Sequence, residues 1–433
     1  MPYVQRLLAV LLLLCPLPAS GQITLDGTFD HGSLQSWSIG LTDGFGSEPQ
    51  INLVGRDNFY GGGRWRWFYF KATGVQGTQP TFATTDRFAG GASLLDDAPM
   101  FFSYDNENWQ VFDNNERSDG LYRFSENTPF TEDEVWVAYS VPYSYGRSVE
   151  HTQNVLATPW ATPTLSGDTN GVIGQSPGGV DDLGRTIEPR DIFGYRITDP
   201  SVANEGKTKI VITTGMHAAE TAGRWTYQGM VDWLVSDDPG AATLRKLADV
   251  YAYPTMNPDG VFAGLSRATV QNPNRDPNGL WNPSLWQPHE DIKVNGEAML
   301  ADVLADDNDV LAFIDFHSTW PTPPGDDFGF IEIDQGDNFS PFWVELKRLR
   351  PNIGEIDSTS RGWISANFGE FFLGAEVDVT FETHLGLPRT QDYYLGLGAD
   401  FGRAFLTALV PEPTSMALAV ACLGVAAKAM RRR

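Results

Sequence analysis

The sequence predicts an α/β protein in two parts: an antiparallel β-sandwich, then an α/β domain built on a mixed sheet. Two observations carry this. From residue 22 to about 142, short aromatic or alternating runs recur between Gly, Asn and Asp turns, and no long segment has a helical apolar period. From about 143 onward, strand-like apolar runs alternate with helical ones, the signature of a mostly parallel or mixed sheet covered by helices. The 433 residues, 41% hydrophobic and 12% aromatic, suffice for two cores. Forty-four Gly and 28 Pro point to turns and loops, not a helical bundle. No period of about 20–50 residues repeats, which excludes a solenoid.

In the first part, the runs at 65–70 (Trp-Arg-Trp-Phe-Tyr-Phe) and 135–139 (Val-Trp-Val-Ala-Tyr) read as strands. A sandwich is their simplest packing. This part holds one histidine, His31, and no cluster that reads as catalytic. In the second part, 209–214 reads as a buried strand and 221–235 as a helix, with apolar Trp225, Met230, Trp233 and Leu234. Further helices are expected at 242–247 and 298–304, and strands at 250–253, 310–316 and 377–381. Sheets of this kind bind ligands at the carboxyl ends of their strands.

The two ends read as processing segments. Residues 1–21 have a basic start at Arg6, an apolar run from Leu7 to Leu14, and Ala19-Ser20-Gly21 as a small-residue cleavage site. This is a secretory signal; an uncleaved anchor is the alternative, and the run is short for it. Cys15 and Cys422 both fall in end segments, so the body between them has no thiol. Any metal site there must use His, Asp and Glu. Near the other end, Val410-Pro411-Glu412-Pro413 precedes an apolar stretch, 416–427, closed by Lys428 and Arg431 to Arg433. That order resembles the PEP-CTERM sorting signal of Gram-negative bacteria, which implies an exosortase-type partner and delivery to the cell surface or extracellular matrix. A plain transmembrane tail anchor stopped by its positive end is the alternative. Either way, membrane contact is expected only through this C-terminal segment. The divisions are therefore 1–21, 22–142, 143–409 and 410–433. With a net charge of −25, the surface repels phosphates, and a nucleic-acid role is rejected.

Four groups of residues carry chemistry. His217-Ala218-Ala219-Glu220 follows a strand and opens a helix, so both side chains can reach one ion. A glutamate at a helix start also serves the dipole, so this pair alone is weak. His317, in Asp315-Phe316-His317, sits at an apolar strand's end; alone it could be a histidine bonded to backbone. Together they give two His and one Glu on one sheet, a zinc ligand set with a fourth position left for water. Glu382, in Phe381-Glu382-Thr383, is a carboxylate just after a buried strand, costly unless paired or functional. It reads as a general base, or as an ion-pair partner of Arg389. His384 reads as a supporting residue. Arg267, Asn274 and Arg275 follow Asn257-Pro258-Asp259-Gly260 in a loop-rich stretch and suit capture of a carboxylate, although single arginines are usually surface charge.

The order His-x-x-Glu, Asn-Pro-Asp-Gly, Arg, Asn-Arg, Asp-Phe-His, Phe-Glu resembles the zinc metallocarboxypeptidase family. It looks most like the cytosolic-carboxypeptidase branch, whose members carry a β-sandwich before the catalytic domain. The stretches 67–75 and 141–145 resemble the start of that sandwich and its junction. The resemblance spans about residues 30–409. It implies one Zn2+ per chain on His217, Glu220 and His317. It implies that Arg267 polarises the scissile carbonyl, that Asn274 and Arg275 hold the substrate's terminal carboxylate, and that Glu382 activates water. The substrates implied are the C-termini of peptides or proteins. The sequence departs from the family in two ways: Ala218-Ala219 replaces the usual Pro-Gly, and no tyrosine lies between Tyr253 and Tyr393, where members often carry one. The residue that sets side-chain specificity falls within 362–374, and Arg361 reads as surface charge or as a selector of acidic side chains. Two other functions stay open: a zinc amidase or deacylase acting on cell-wall peptides or N-acyl amino acids, and a surface binding protein whose site has decayed.

Overall fold

The computed structural model of the chain describes residues 22–40, 49–57, 63–96, 98–287, 290–319, 327–331, 341–357, 365–385 and 389–410. Two five-stranded sheets form the first part. One contains Thr24–Asp26, Tyr69–Thr73, Glu134–Ala138, Phe101–Ser103 and Gln110–Val111; the other contains Ser36–Gly40, Gln50–Val54, Thr81–Thr85, Leu121–Ser125 and Asn114–Ser118. Their pairings are antiparallel except that Gln50–Val54 runs parallel to Thr81–Thr85. Phe70, Val135 and Val137 of one sheet share a core with Ile51, Phe82 and Phe124 of the other. The alternation of apolar residues along each strand sends them to that shared face.

The second part is an eight-stranded mixed sheet. Its centre is Thr208–Thr214, parallel to Ala248–Tyr253 on one side and to Val310–Thr319 on the other. Val377–His384 lies parallel to Val310–Thr319. Phe328–Ile331 then runs antiparallel to Val377–His384, with Gly354–Asp357 outside it. Ile210, Ile212, Ile314, Phe316, Val379 and Phe381 form one apolar face. It packs against the helices Thr221–Val235 and Gln391–Leu409, whose Leu234, Leu397 and Phe401 join the same core. These two helices cross closely because Gly229 and Gly398 sit at the crossing: a Cβ on Gly398 would collide with Thr226 O, and one on Gly229 with Leu395 O.

The expected elements are present with shifted ends, except that the run at 65–70 is a strand only from Tyr69, within Tyr69–Thr73. The helix at 221–235 matches, and the strands expected at 310–316 and 377–381 continue to Thr319 and His384. Among the described residues, no helix is long and apolar enough to cross a membrane, which corrects the transmembrane expectation for that part of the chain. The longest, Gln391–Leu409, has 19 residues but carries Asp392, Asp400 and Arg403, and its apolar face is covered by protein. The expected secretory and sorting segments, 1–21 and most of 410–433, lie outside the described residues, as do Arg361 and part of the 362–374 specificity stretch.

Candidate metal and catalytic site

Three side chains converge at the carboxyl ends of two neighbouring central strands. His217 and Glu220 sit on the corner between Thr208–Thr214 and the helix Thr221–Val235; His317 sits in Val310–Thr319. The chain turns into that corner at Gly215, whose φ of 75° lies in the left-handed region. The helix can approach the strand because Gly223 has no side chain: a Cβ there would lie 2.5 Å from His317 O. Gly223 N donates to Ser318 Oγ at 2.6 Å, which fixes the helix start against the strand. Asn257, of the Asn-Pro-Asp-Gly run, donates through Nδ2 to Met216 O (3.2 Å) and Ala268 O (3.1 Å). It thereby ties the ligand corner to the loop bearing Arg267.

All three ligand residues are buried, and one ligand atom from each lies within 4.8 Å of the others. Glu220 Oε1 is 2.8 Å from His217 Nδ1, Glu220 Oε2 is 2.9 Å from His317 Nδ1, and the two Nδ1 atoms are 3.2 Å apart. Each imidazole is held from behind by a carboxylate. His217 Nε2 donates to Asp276 Oδ1 at 2.9 Å, and His317 Nε2 donates to Asp315 Oδ2 at 2.7 Å. Hydrogens on both Nε2 atoms leave both Nδ1 lone pairs turned inward, where they repel each other unless a cation lies between them. The donor set fits one zinc ion: two imidazole nitrogens and a carboxylate, each oriented by a further hydrogen bond. Thr213 Oγ1 donates to Asp315 Oδ1 at 2.8 Å, and Ser318 N to Glu220 Oε2 at 3.0 Å.

The electrostatics agree. Burial disfavours charge on Glu220, yet His217 and His317 outweigh it and hold the carboxyl well below its ordinary range. Burial opposes charge on His317 too, but Asp315 and then Glu220 outweigh it and raise its pKa well above the usual value. Both shifts describe a pocket whose carboxylates demand positive charge.

Glu382 is the Cα partner of His317 on the adjacent parallel strand. It is therefore inside a strand, not beyond one, and on the same face as the ligand. Its Oε2 is buried and has no hydrogen-bond partner among the described residues. Burial first, then the Glu220 carboxylate, push its pKa up to about 7, against the pull of His317, Arg267 and Arg66. Arg389, the alternative ion-pair partner, instead donates to Asp327 Oδ1 at 2.6 Å. His384 is buried, and its backbone N–H also donates to Asp327 Oδ1, at 2.8 Å.

Arg267 reaches the ligand group. Its Nε donates to Asp276 Oδ2 at 2.6 Å, and its Nη1 lies 3.4 Å from Glu220 Oε1. Asp276 thus bridges a ligand histidine and this arginine, and both outweigh burial to hold its carboxyl far below the ordinary range. Asn274 and Arg275 are exposed on the turn leading into Asp276. Sequence reasoning gave no role to Asp276 or Asp315. The signal for Asp315 was its place two residues before His317 in an apolar strand, which puts both on one face. Asp276 had no signal beyond its place after Arg275.

Comparison with known proteins completes the picture. Residues 179–319 match the Peptidase_M14 (zinc carboxypeptidase) family model, a span that includes the three ligands, Arg267, Asn274 and Arg275 but not Glu382. The chain is 26% identical over 426 residues to cytosolic carboxypeptidase 6 of Homo sapiens, covering 90% of this chain and 80% of that protein. Among solved structures, a metallo-carboxypeptidase from Burkholderia cenocepacia superposes with a TM-score of 0.69 at 19% identity, covering 89% of this chain and 98% of that one. A metallo-carboxypeptidase from Pseudomonas aeruginosa, solved with (2-guanidinoethylmercapto)succinic acid, gives 0.67 at 20% identity, with 89% and 98% covered. At these identities the two structures establish the shared fold.

Proposed function

Since the chain is a zinc-dependent metallocarboxypeptidase, we propose that it is an exported enzyme of the cytosolic-carboxypeptidase-like branch that removes residues from free C-termini of peptides or proteins. The observation that carries this reading is the Glu382 carboxylate beside His317, with Arg267 on the same ligand group. Zinc, when bound, supplies Lewis acidity to the scissile carbonyl and to water. Glu382 takes a proton from the attacking water and returns it to the leaving nitrogen. The water oxygen adds to the carbonyl carbon, the C–N bond breaks, and the products are a shortened chain with a new carboxylate and a free amino acid. Arg267 donates to the carbonyl oxygen as it gains charge. Asn274 and Arg275 hold the substrate's terminal carboxylate, Arg275 by a two-pronged guanidinium contact. Their place on the turn leading into Asp276, which binds both His217 and Arg267, supports this role.

The chain divides, in this reading, into a signal at 1–21, the sandwich at 22–142, the catalytic part at 143–409 and a sorting segment at 410–433 read by an exosortase-type enzyme. The basic start, apolar run and small-residue site of the first segment, and the Pro-Glu-Pro of the last, support delivery to the surface or matrix of a Gram-negative cell. The solved relatives named above come from Gram-negative bacteria.

The test uses zinc-loaded protein and peptides that differ only in their last residue, with amidated copies, read by mass spectrometry. Loss of single C-terminal residues, blocked by amidation and by Glu382→Gln with zinc retained, is expected. Cleavage of amidated peptides, or full activity in Glu382→Gln, would overturn the assignment. Bound zinc with no peptide cleaved would turn the reading to an amidase or deacylase.

A further inference from the structure

Among the described residues the sandwich holds no metal-ligand cluster, yet one of its residues, His31, stands directly behind the metal site. Arg224 lies one turn into the helix that follows Glu220 and is fully buried. Its Nη2 donates to Ala218 O at 2.6 Å, the carbonyl between the ligands His217 and Glu220. The same nitrogen faces His31 Nε2 at 3.3 Å. Among the described residues, Nε and Nη1 of Arg224 have no hydrogen-bond partner, so its hydrogen bonding there runs through that one nitrogen. The face of Tyr143, 5.5 Å away, and the charges of Asp30 and Glu220 make the buried cation tolerable.

His31 is held through its backbone and its ring. Its N–H donates to Phe262 O at 2.9 Å, and its O accepts from Trp67 Nε1 at 3.1 Å. Its ring lies against that of Trp67, with centroids 4.7 Å apart. Its φ of 69° is a conformation that non-glycine residues rarely adopt. Nδ1 donates to Val261 O at 2.9 Å, and this fixes the tautomer: Nε2 keeps its lone pair and can only accept. The Nε2 acceptor is therefore aimed at Arg224 by bonds to the catalytic part itself. Burial, and then the Arg224 charge, keep the ring neutral by holding its pKa well below the usual value.

We propose that His31 and Arg224 form a positioning relay: His31 fixes the guanidinium, and the guanidinium fixes the peptide between two zinc ligands. The sandwich is then a working part of the metal site. This inference rests on the zinc reading above. Ordinary adhesion between the two parts looks different. Arg56 of the sandwich binds Asp181, Asp182 and Ala263 O across the same seam without touching residues 217–220.

The full chain is used, with zinc affinity read by competition against a chromophoric chelator and site geometry by the visible bands of the Co2+ form. His31→Asn keeps the donor to Val261 O and removes the acceptor; Arg224→Met removes the donor; Arg224→Lys keeps a charged donor. His31→Asn and Arg224→Met are expected to weaken zinc binding about 10- to 100-fold and to shift the Co2+ bands. Arg224→Lys is expected to recover part of that loss. Arg56→Met is expected to lower the melting temperature while zinc affinity stays within about twofold of the parent. Zinc affinity and Co2+ bands unchanged in folded His31→Asn and Arg224→Met, or Arg56→Met weakening zinc equally, would overturn the relay. If His31→Asn does not fold, the comparison of Arg224→Lys with Arg224→Met decides the matter on the same scale. A parent that binds no zinc sinks the metal reading itself, whereas tight binding in the parent and its variants alike sinks the relay alone.

Discussion

In its proposed role Glu382 acts as a base only when ionised, and its surroundings resist ionisation. Burial and the Glu220 carboxylate raise its pKa to about 7. The positive charge of a bound zinc lowers it from there. Activity therefore rises with pH through this group, and the acid limb of kcat/KM is expected to centre at or below about 7. Glu382→Gln should remove that limb and cost about 10²- to 10⁴-fold in rate. A limb centred well above 7, or one that survives in Glu382→Gln, would contradict the assignment. The ligand cluster, and the carboxylate of Glu382 placed beside it, were legible in sequence because His and Glu are rare where strands are otherwise apolar. Asp276 was not legible: an aspartate in a polar loop has many reasons to be there, and only three dimensions bring it to His217 and Arg267. Likewise, nothing in the pattern paired Arg389 with Asp327 and not with Glu382.

Among the elements, central strands and the helix behind the ligands followed from their periodicity, while three of the longer helices did not. Tyr145–Leu156, Pro341–Leu349 and Gln391–Leu409 went unanticipated. The last is interrupted by Gly396, Gly398 and Gly402, residues that disfavour helix in isolation. Two of them are there for contact: a Cβ on Gly398 would strike the backbone of Thr226, and one on Gly402 the ring of Trp233. Gly398→Ala is expected to destabilise by about 2–3 kcal/mol, because rigid backbone must move to admit it. Gly396→Ala meets only the end of Arg350, 3.3 Å away, and is expected to be neutral or to stabilise by about 0.5–1 kcal/mol. Urea unfolding of the pair checks both; equal midpoints would show that the crossing is looser than described. The strand ends were set short for a related reason. Polar His317 and Glu382 break the apolar pattern, yet the ladder continues through them because their face holds the site.

Across the whole molecule, the two-part architecture was legible from composition, but the seam was not, since it joins residues far apart in sequence. Asp30 accepts from Gly146 N at 2.7 Å, Ala219 packs with the sandwich core, and Phe101 packs with Trp225 and Tyr394. Expression of residues 143–409 alone is expected to give insoluble or zinc-free protein, as read by centrifugation and metal analysis, because this surface is apolar and its buried Arg224 loses His31. A soluble, zinc-replete fragment would show that the seam is dispensable. The seam also has a direction in time. Asp30, His31 and Arg56 leave the ribosome before any of the groups they bind, so the sandwich can fold first and stand as a template when the ligand corner emerges. A circular permutant with the sandwich moved to the end would have the same native contacts, but would be synthesised with its aromatic seam bare. Whether the chain emerges from a ribosome or from an export channel, the sandwich comes first, and such a permutant is expected to aggregate more on folding than the parent.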